Sequence, residues 1–179
     1  KALRRHAEVD LGAHHSPDLF HGQHEVAKAT SLALARDVRH AEARVLAAQG
    51  RWEAERAAQQ AFAARVPRPR GRPPAFASRM AIALSARIAA EAERDRAQAR
   101  QIQARELIRE LGVLYHPYDL QQGQPQPVAR VAARFTAVWL RLKHLAEAAD
   151  LPERARERLA KAERLTVQWL ATLAFFFAT

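Results

Sequence analysis

The sequence places two arginines inside a proline-rich run. Pro69-Arg70-Gly71-Arg72-Pro73 lies within residues 65–74, where prolines are too frequent for a helix. Prolines hold the backbone extended, and glycine allows it to approach another surface closely. Two guanidinium groups on such a backbone can enter the narrow minor groove of A·T-rich DNA, where the negative potential is enhanced. The run therefore predicts a segment that contacts DNA.

Further arginines flank this run and could contact phosphates. The candidate DNA-binding residues are Arg65, Arg68, Arg70, Gly71, Arg72 and Arg79. The five-residue core is similar to that of an AT-hook, a short motif that lies in the minor groove. The alternative is a proline-stiffened, solvated turn between two helices of an arginine-rich chain.

A second group of residues has the chemistry of metal ligands. If a helix begins near Asp18, then Asp18, His21 and Glu25 share one face at spacings of three and four residues. Their oxygen and imidazole groups could hold a divalent cation. The alternative is that these side chains are exposed or cap the start of the helix.

No self-sufficient active site can be identified. The chain has no cysteine, which excludes disulfides, iron–sulfur sites and thiol nucleophiles within it. No phosphate-binding glycine loop or serine-hydrolase motif occurs, and most carboxylates stand beside arginines, as on a solvated face. We therefore predict no catalytic residue and no cofactor within this segment.

Composition indicates a basic, helical protein. The chain has 179 residues, with 29 Lys and Arg against 19 Asp and Glu, a net charge of +10. Six glycines among many alanines, arginines and leucines are typical of long helices and coiled coils. The charge favours a polyanionic partner, although arginine enrichment can also reflect a GC-rich genome.

The ends of the chain bear on its context. The sequence begins at Lys1 and ends on three phenylalanines and Ala178-Thr179, which favours a segment of a larger protein. The longest apolar stretch, residues 169–178, is about half of the roughly 20 residues that a membrane span needs. We expect no membrane association and a cytoplasmic location.

Hydrophobic periodicity predicts an all-α fold that opens with a long antiparallel helical hairpin. Residues 1–17 have no clean period, and residues 18–112 form the hairpin, with the proline-arginine loop at 65–74 as its turn. A coiled-coil seam recurs at alternating spacings of four and three. It comprises Leu34, Val38, Ala41, Val45, Ala48 and Trp52. Gly112 is expected to be the C′ residue that ends the second helix.

A linker, residues 113–127, leads to a second and shorter helical hairpin over residues 128–179. One face of its first helix carries Val131, Phe135, Val138, Trp139, Leu142 and Leu145. Asp150, with Pro152 and Glu153 after it, is expected to be the N-cap of the last helix.

Four short stretches resemble a known family. They are Lys1-Ala2-Leu3-Arg4-Arg5, residues 18–25, residues 71–76 and residues 115–120. The chain resembles part of a bacterial DDE-type transposase, whose RNase H-like core uses acidic residues to hold two Mg²⁺ ions. The resemblance implies that this segment is a helical insertion, with the catalytic acids and any Mg²⁺ in the rest of the protein. Asp18 could border that metal site but matches no catalytic position.

Two hypotheses follow. The first is a DNA-associated helical segment of a transposase-like protein, bound to double-stranded DNA and not catalytic alone. The second is a structural or protein-interaction module that dimerises through its long hairpin, a homo-oligomer favoured by the seam from Leu34 to Trp52.

Overall fold

Helices account for nearly all of the backbone that the structure describes. The computed structural model describes residues 19–67, 71–114, 116, 118–119 and 123–178, and gives only the backbone of Leu19 and of residues 175–178. Within these ranges there are four helices and no strand. They are α1 (Leu19–Ala63), α2 (Phe76–Leu114), α3 (Val128–Ala148) and α4 (Glu153–Ala178). The predicted all-α fold class is confirmed.

The chain divides into two units, to which α1 and α2 each contribute. The hairpin unit is Leu34–Gln101, and the bundle unit comprises Lys1–Ala33 and Ile102–Thr179.

In the hairpin unit, α1 and α2 pack antiparallel in a coiled-coil-like arrangement. Val38 and Ala41 of α1 form a buried cluster with Ala97 of α2. Further towards the turn, Phe62 packs against Phe76 with ring centroids 5.4 Å apart. Because alanines occupy much of the seam, the two helices can approach closely. The predicted long hairpin is therefore confirmed.

Gly50 lies within the exposed part of α1 and has no heavy atom within 4 Å of the position where a Cβ would stand. Gly50→Ala is expected to raise the free energy of unfolding by about 0.5–1 kcal/mol, because alanine loses less backbone entropy in a helix. Thermal unfolding followed by circular dichroism measures the effect. Gly112→Ala serves as the control, since its new Cβ would meet Gln23, and a larger gain at Gly112 would contradict this account.

The predicted role of Gly112 as a helix terminator is wrong, because α2 continues to Leu114. A Cβ at Gly112 would lie 2.9 Å from Nε2 of Gln23. That Nε2 donates a hydrogen bond to the carbonyl oxygen of Ile108 at 3.0 Å. Glycine at this position therefore leaves space for a side chain of α1 against α2.

In the bundle unit, α3 and α4 form the predicted second hairpin. Phe135 and Trp169 meet edge to face, with ring centroids 5.5 Å apart. Lys143 of α3 donates to Glu163 of α4 at 2.8 Å. The first turns of α1 and the last turns of α2 complete this core. Their buried residues include Val26, Ala29, Thr30, Leu107, Leu111 and Leu114.

The turn between α3 and α4 differs from the prediction that Asp150 caps α4. Asp150 has a φ of 44°, and its N–H donates to the carbonyl oxygen of Glu147 while that of Leu151 donates to Ala146. These two bonds form a Schellman motif that ends α3. The Asp150 side chain accepts a hydrogen bond from Arg156 at 3.1 Å. Asp150 thus terminates the preceding helix, because aspartate tolerates the left-handed conformation better than most residues.

The described part of residues 113–127 contains one buried polar anchor. Nε2 of Gln126 donates to the carbonyl oxygen of His116 at 3.1 Å. Gln126 is buried, so this bond satisfies an amide that would otherwise be desolvated without a partner.

Candidate nucleic-acid interface

The stem of the proline-arginine loop is held by the last turn of α1 and the first turn of α2. The Phe62–Phe76 contact brings the two helix ends together. The N–H of Arg65 donates to the carbonyl oxygen of Phe62 at 3.3 Å, and the N–H of Phe76 donates to that of Pro74 at 2.8 Å. The fold therefore fixes both ends of the loop.

The loop residues that the structure describes are exposed. Arg65 and Arg72 have no carboxylate partner within the described ranges. Gly71 has a φ of 116°, a conformation that side-chain-bearing residues rarely adopt. Arg68 and Arg70 lie outside the described residues. Two of the predicted loop arginines are therefore available to a partner.

Arg79, also a predicted DNA contact, is engaged by its own chain. Its Nε lies 3.4 Å from Oε2 of Glu55, and its guanidinium carbon lies 5.0 Å from the ring centroid of Phe76. Since these contacts tie α2 to α1 and to the loop stem, Arg79 has a clear structural role.

Positive charge is concentrated in the hairpin unit. Residues 34–101 contain fourteen arginines and seven carboxylates, so this unit carries +7 of the net charge of +10. The rest of the chain is longer but carries only the other +3 of the net charge. A polyanion would therefore be attracted mainly to the hairpin unit.

The arginines of α2 in this unit are ion-paired. Their pairs are Arg79–Glu55, Arg87–Glu91, Arg94–Asp95, Arg96–Glu93 and Arg100–Glu93. The hydrogen bond from Arg96 holds the pKa of Glu93 below its ordinary value, against an opposing effect of desolvation. The hydrogen bond to Asp95 raises the pKa of Arg94. The charge of α2 is therefore largely balanced locally.

The α1 arginines of this unit have no carboxylate partner among the described residues. Arg36, Arg39, Arg44 and Arg51 are exposed. Arg56 instead lies over the ring of Trp52, at 5.5 Å from its centroid. The sequence places these residues off the seam, but it does not distinguish them from the paired arginines of α2. They are functional candidates that spacing alone did not identify.

The predicted metal ligands are only partly described. His21 is exposed near the start of α1, and Asp18 lies outside the described residues. Oε2 of Glu25 lies 3.7 Å from Nη1 of Arg158. In the part of the chain that the structure describes, no three His, Asp or Glu side chains are grouped to hold a metal ion.

Two clefts lie between α3 and α4. They have volumes of about 150 and 220 Å³ and share Trp139, Lys143 and Glu163 in their walls. Both are smaller than the roughly 300–1,000 Å³ of typical ligand pockets. The hairpin unit is thus the stronger candidate for a binding function.

Comparisons of the chain with known protein families, with characterised proteins and with solved structures found no match. Across the described residues, no helix is both long and apolar enough to cross a membrane.

Proposed function

We propose that this chain is a DNA-associated helical segment whose hairpin unit and proline-arginine loop bind double-stranded DNA. The resemblance to DDE-type transposases supports a role as the helical insertion of such a protein, with the catalytic acidic residues and their Mg²⁺ mostly elsewhere. A cytoplasmic location belongs to the same proposal, because bacterial DNA lies in the cytoplasm.

The distribution of charge carries this proposal. The hairpin unit has a net charge of +7, and Arg65 and Arg72 of its loop are exposed without a carboxylate partner in the described residues. Each arginine that neutralises a phosphate releases condensed counterions, which supplies affinity without sequence recognition. Affinity for a duplex should therefore fall steeply as salt rises.

Replacing two loop arginines tests the contribution of the loop. Arg70→Gln with Arg72→Gln should lower the slope of log affinity against log salt by about 2, because each lost phosphate contact removes about one unit. Fluorescence anisotropy with a labelled duplex, from low to moderate salt, measures the slope. Comparing the affinity for A·T-rich and G·C-rich duplexes then tests whether the loop recognises the minor groove of A·T-rich DNA.

The matched control removes the same charge from ion pairs of the bundle unit. Arg141 pairs with Glu110 and Arg156 with Asp150, so Arg141→Gln with Arg156→Gln should change the slope much less. If the two pairs of substitutions changed the slope equally, the loop would not be part of the DNA interface. Absence of any salt-dependent duplex binding by the unmodified chain would refute DNA association itself.

A second candidate function is self-association through the hairpin unit. The predicted seam already packs within this chain, so a dimer would need other apolar residues. Leu46, Ile82 and Ile88 are 71%, 66% and 56% exposed. Size-exclusion chromatography with light scattering, with and without duplex, separates the two functions, since self-association requires a dimer without DNA.

A further inference from the structure

Arg44 and Arg51 form a second basic surface, distinct from the loop. Both are exposed residues of α1 in the hairpin unit and have no carboxylate partner among the described residues. Seven residues separate them, so they occupy equivalent heptad positions on the same side of α1. At 1.5 Å per residue, about 10 Å of helix lies between them.

One carboxylate of α1, Glu55, is spaced to pair with Arg51 but contacts α2 instead. Glu55 stands four residues after Arg51, a spacing at which side chains on a helix can pair. In the structure, however, Oε2 of Glu55 lies 3.4 Å from Nε of Arg79 on α2. Arg51 therefore has no ion pair with Glu55, whose contact is with the opposite helix.

The helix face beside the two arginines carries small residues. Ala43, Ala47, Gly50 and Ala54 are exposed on this face, whereas the exposed Leu46 lies about 160° from Arg44 around the helix. Protein interfaces depend on buried aromatic, aliphatic or arginine hot spots in packed pockets. A DNA duplex, which carries charge along its whole length, needs only exposed guanidinium groups and an unobstructed approach. This combination favours a nucleic-acid backbone over a protein.

The spacing along α1 also fits a duplex that meets the loop. Arg44 precedes Arg65 by 21 residues, about 30 Å along the helix, and one turn of B-form DNA is about 34 Å. The 10 Å between Arg44 and Arg51 corresponds to about three steps of one strand at 3.4 Å each. One duplex lying along the hairpin unit could therefore present phosphates to both arginines and a groove to the loop.

We propose that Arg44 and Arg51 bind phosphates of double-stranded DNA, forming a second contact surface along α1. This inference rests on the proposed function, but it assigns residues outside the loop. It also makes the contact independent of sequence, since phosphates carry no direct base information.

Charge-matched pairs of substitutions in the whole chain test this inference. Arg44→Gln with Arg51→Gln should lower the salt slope by about 2 and weaken duplex binding roughly 50-fold at 0.1 M salt. Arg96→Gln with Arg100→Gln removes the same charge from the same unit, but from arginines already paired with Glu93. This control should lower the slope by less than half as much. Arg44→Lys with Arg51→Lys should retain most of the slope.

The outcomes separate this inference from the proposed function. Equal losses for the two glutamine pairs would overturn the α1 surface and leave DNA association standing. If the unmodified chain does not bind duplex, the proposed function fails first. Circular dichroism of each variant checks that α1 remains helical. The variant with Arg44→Lys and Arg51→Lys keeps both charges, so retained binding shows that the glutamine pair acts through the loss of charge.

Discussion

Phe135→Ala is expected to lower the free energy of unfolding by about 3–5 kcal/mol, the largest effect on stability that we predict. Phe135 is 1% exposed and meets Trp169 edge to face at 5.5 Å. Removing its ring loses apolar burial and leaves a cavity between α3 and α4. Urea unfolding followed by tryptophan fluorescence and by circular dichroism measures the loss.

Leu140→Ala is the matched control for that substitution. Leu140 lies on the same helix but is 54% exposed, so its truncation should cost less than about 1 kcal/mol. If the two substitutions had equal effects, the Phe135–Trp169 contact would not be the core of the second hairpin. Phe135→Leu should fall between them, because much of the apolar volume is retained.

Removing all four arginines assigned to the loop and to α1 should nearly abolish duplex binding. The variant combines Gln at positions 44, 51, 70 and 72. Four lost phosphate contacts lower the salt slope by about 4, which corresponds to a roughly thousand-fold or greater loss of affinity at 0.1 M salt. Anisotropy titrations at several salt concentrations measure both quantities.

The control again removes four charges from ion-paired arginines. Glutamine at positions 96, 100, 141 and 156 also removes four positive charges, but from residues that pair with Glu93, Glu110 and Asp150. It should retain most of the affinity. An equal loss would show that net charge alone determines binding, and that neither the loop nor α1 forms a localised interface.

The main helices could be predicted because their signals are local and repeated. Alternating spacings of four and three along α1 identify the residues that face α2, and Val38, Ala41 and Ala48 are indeed buried. On α3, Phe135, Val138 and Leu142 recur at helical spacing and are all buried. The proline run marks the turn equally clearly, since proline cannot continue a helix. Each of these conclusions needs only neighbouring residues.

Helix ends were less predictable, because competing local signals have similar energies. Gly112 is a common type of helix terminator, yet α2 extends two residues beyond it, and Leu111 before it and Leu114 after it are both buried. Burial of these leucines favours continued helix by more than glycine disfavours it. Asp150 likewise offers an N-cap side chain, but the chain uses its left-handed backbone conformation to end α3.

The sequence by itself determined the helices, the two hairpins and a basic turn between α1 and α2. Only the tertiary structure decided which arginines are neutralised. Glu55 is spaced to form an ion pair with Arg51 on its own helix, but in the structure it pairs with Arg79 of α2. The physical reason is that helical periodicity is set within a few residues, whereas an ion pair depends on which side chains of another helix arrive within about 4 Å.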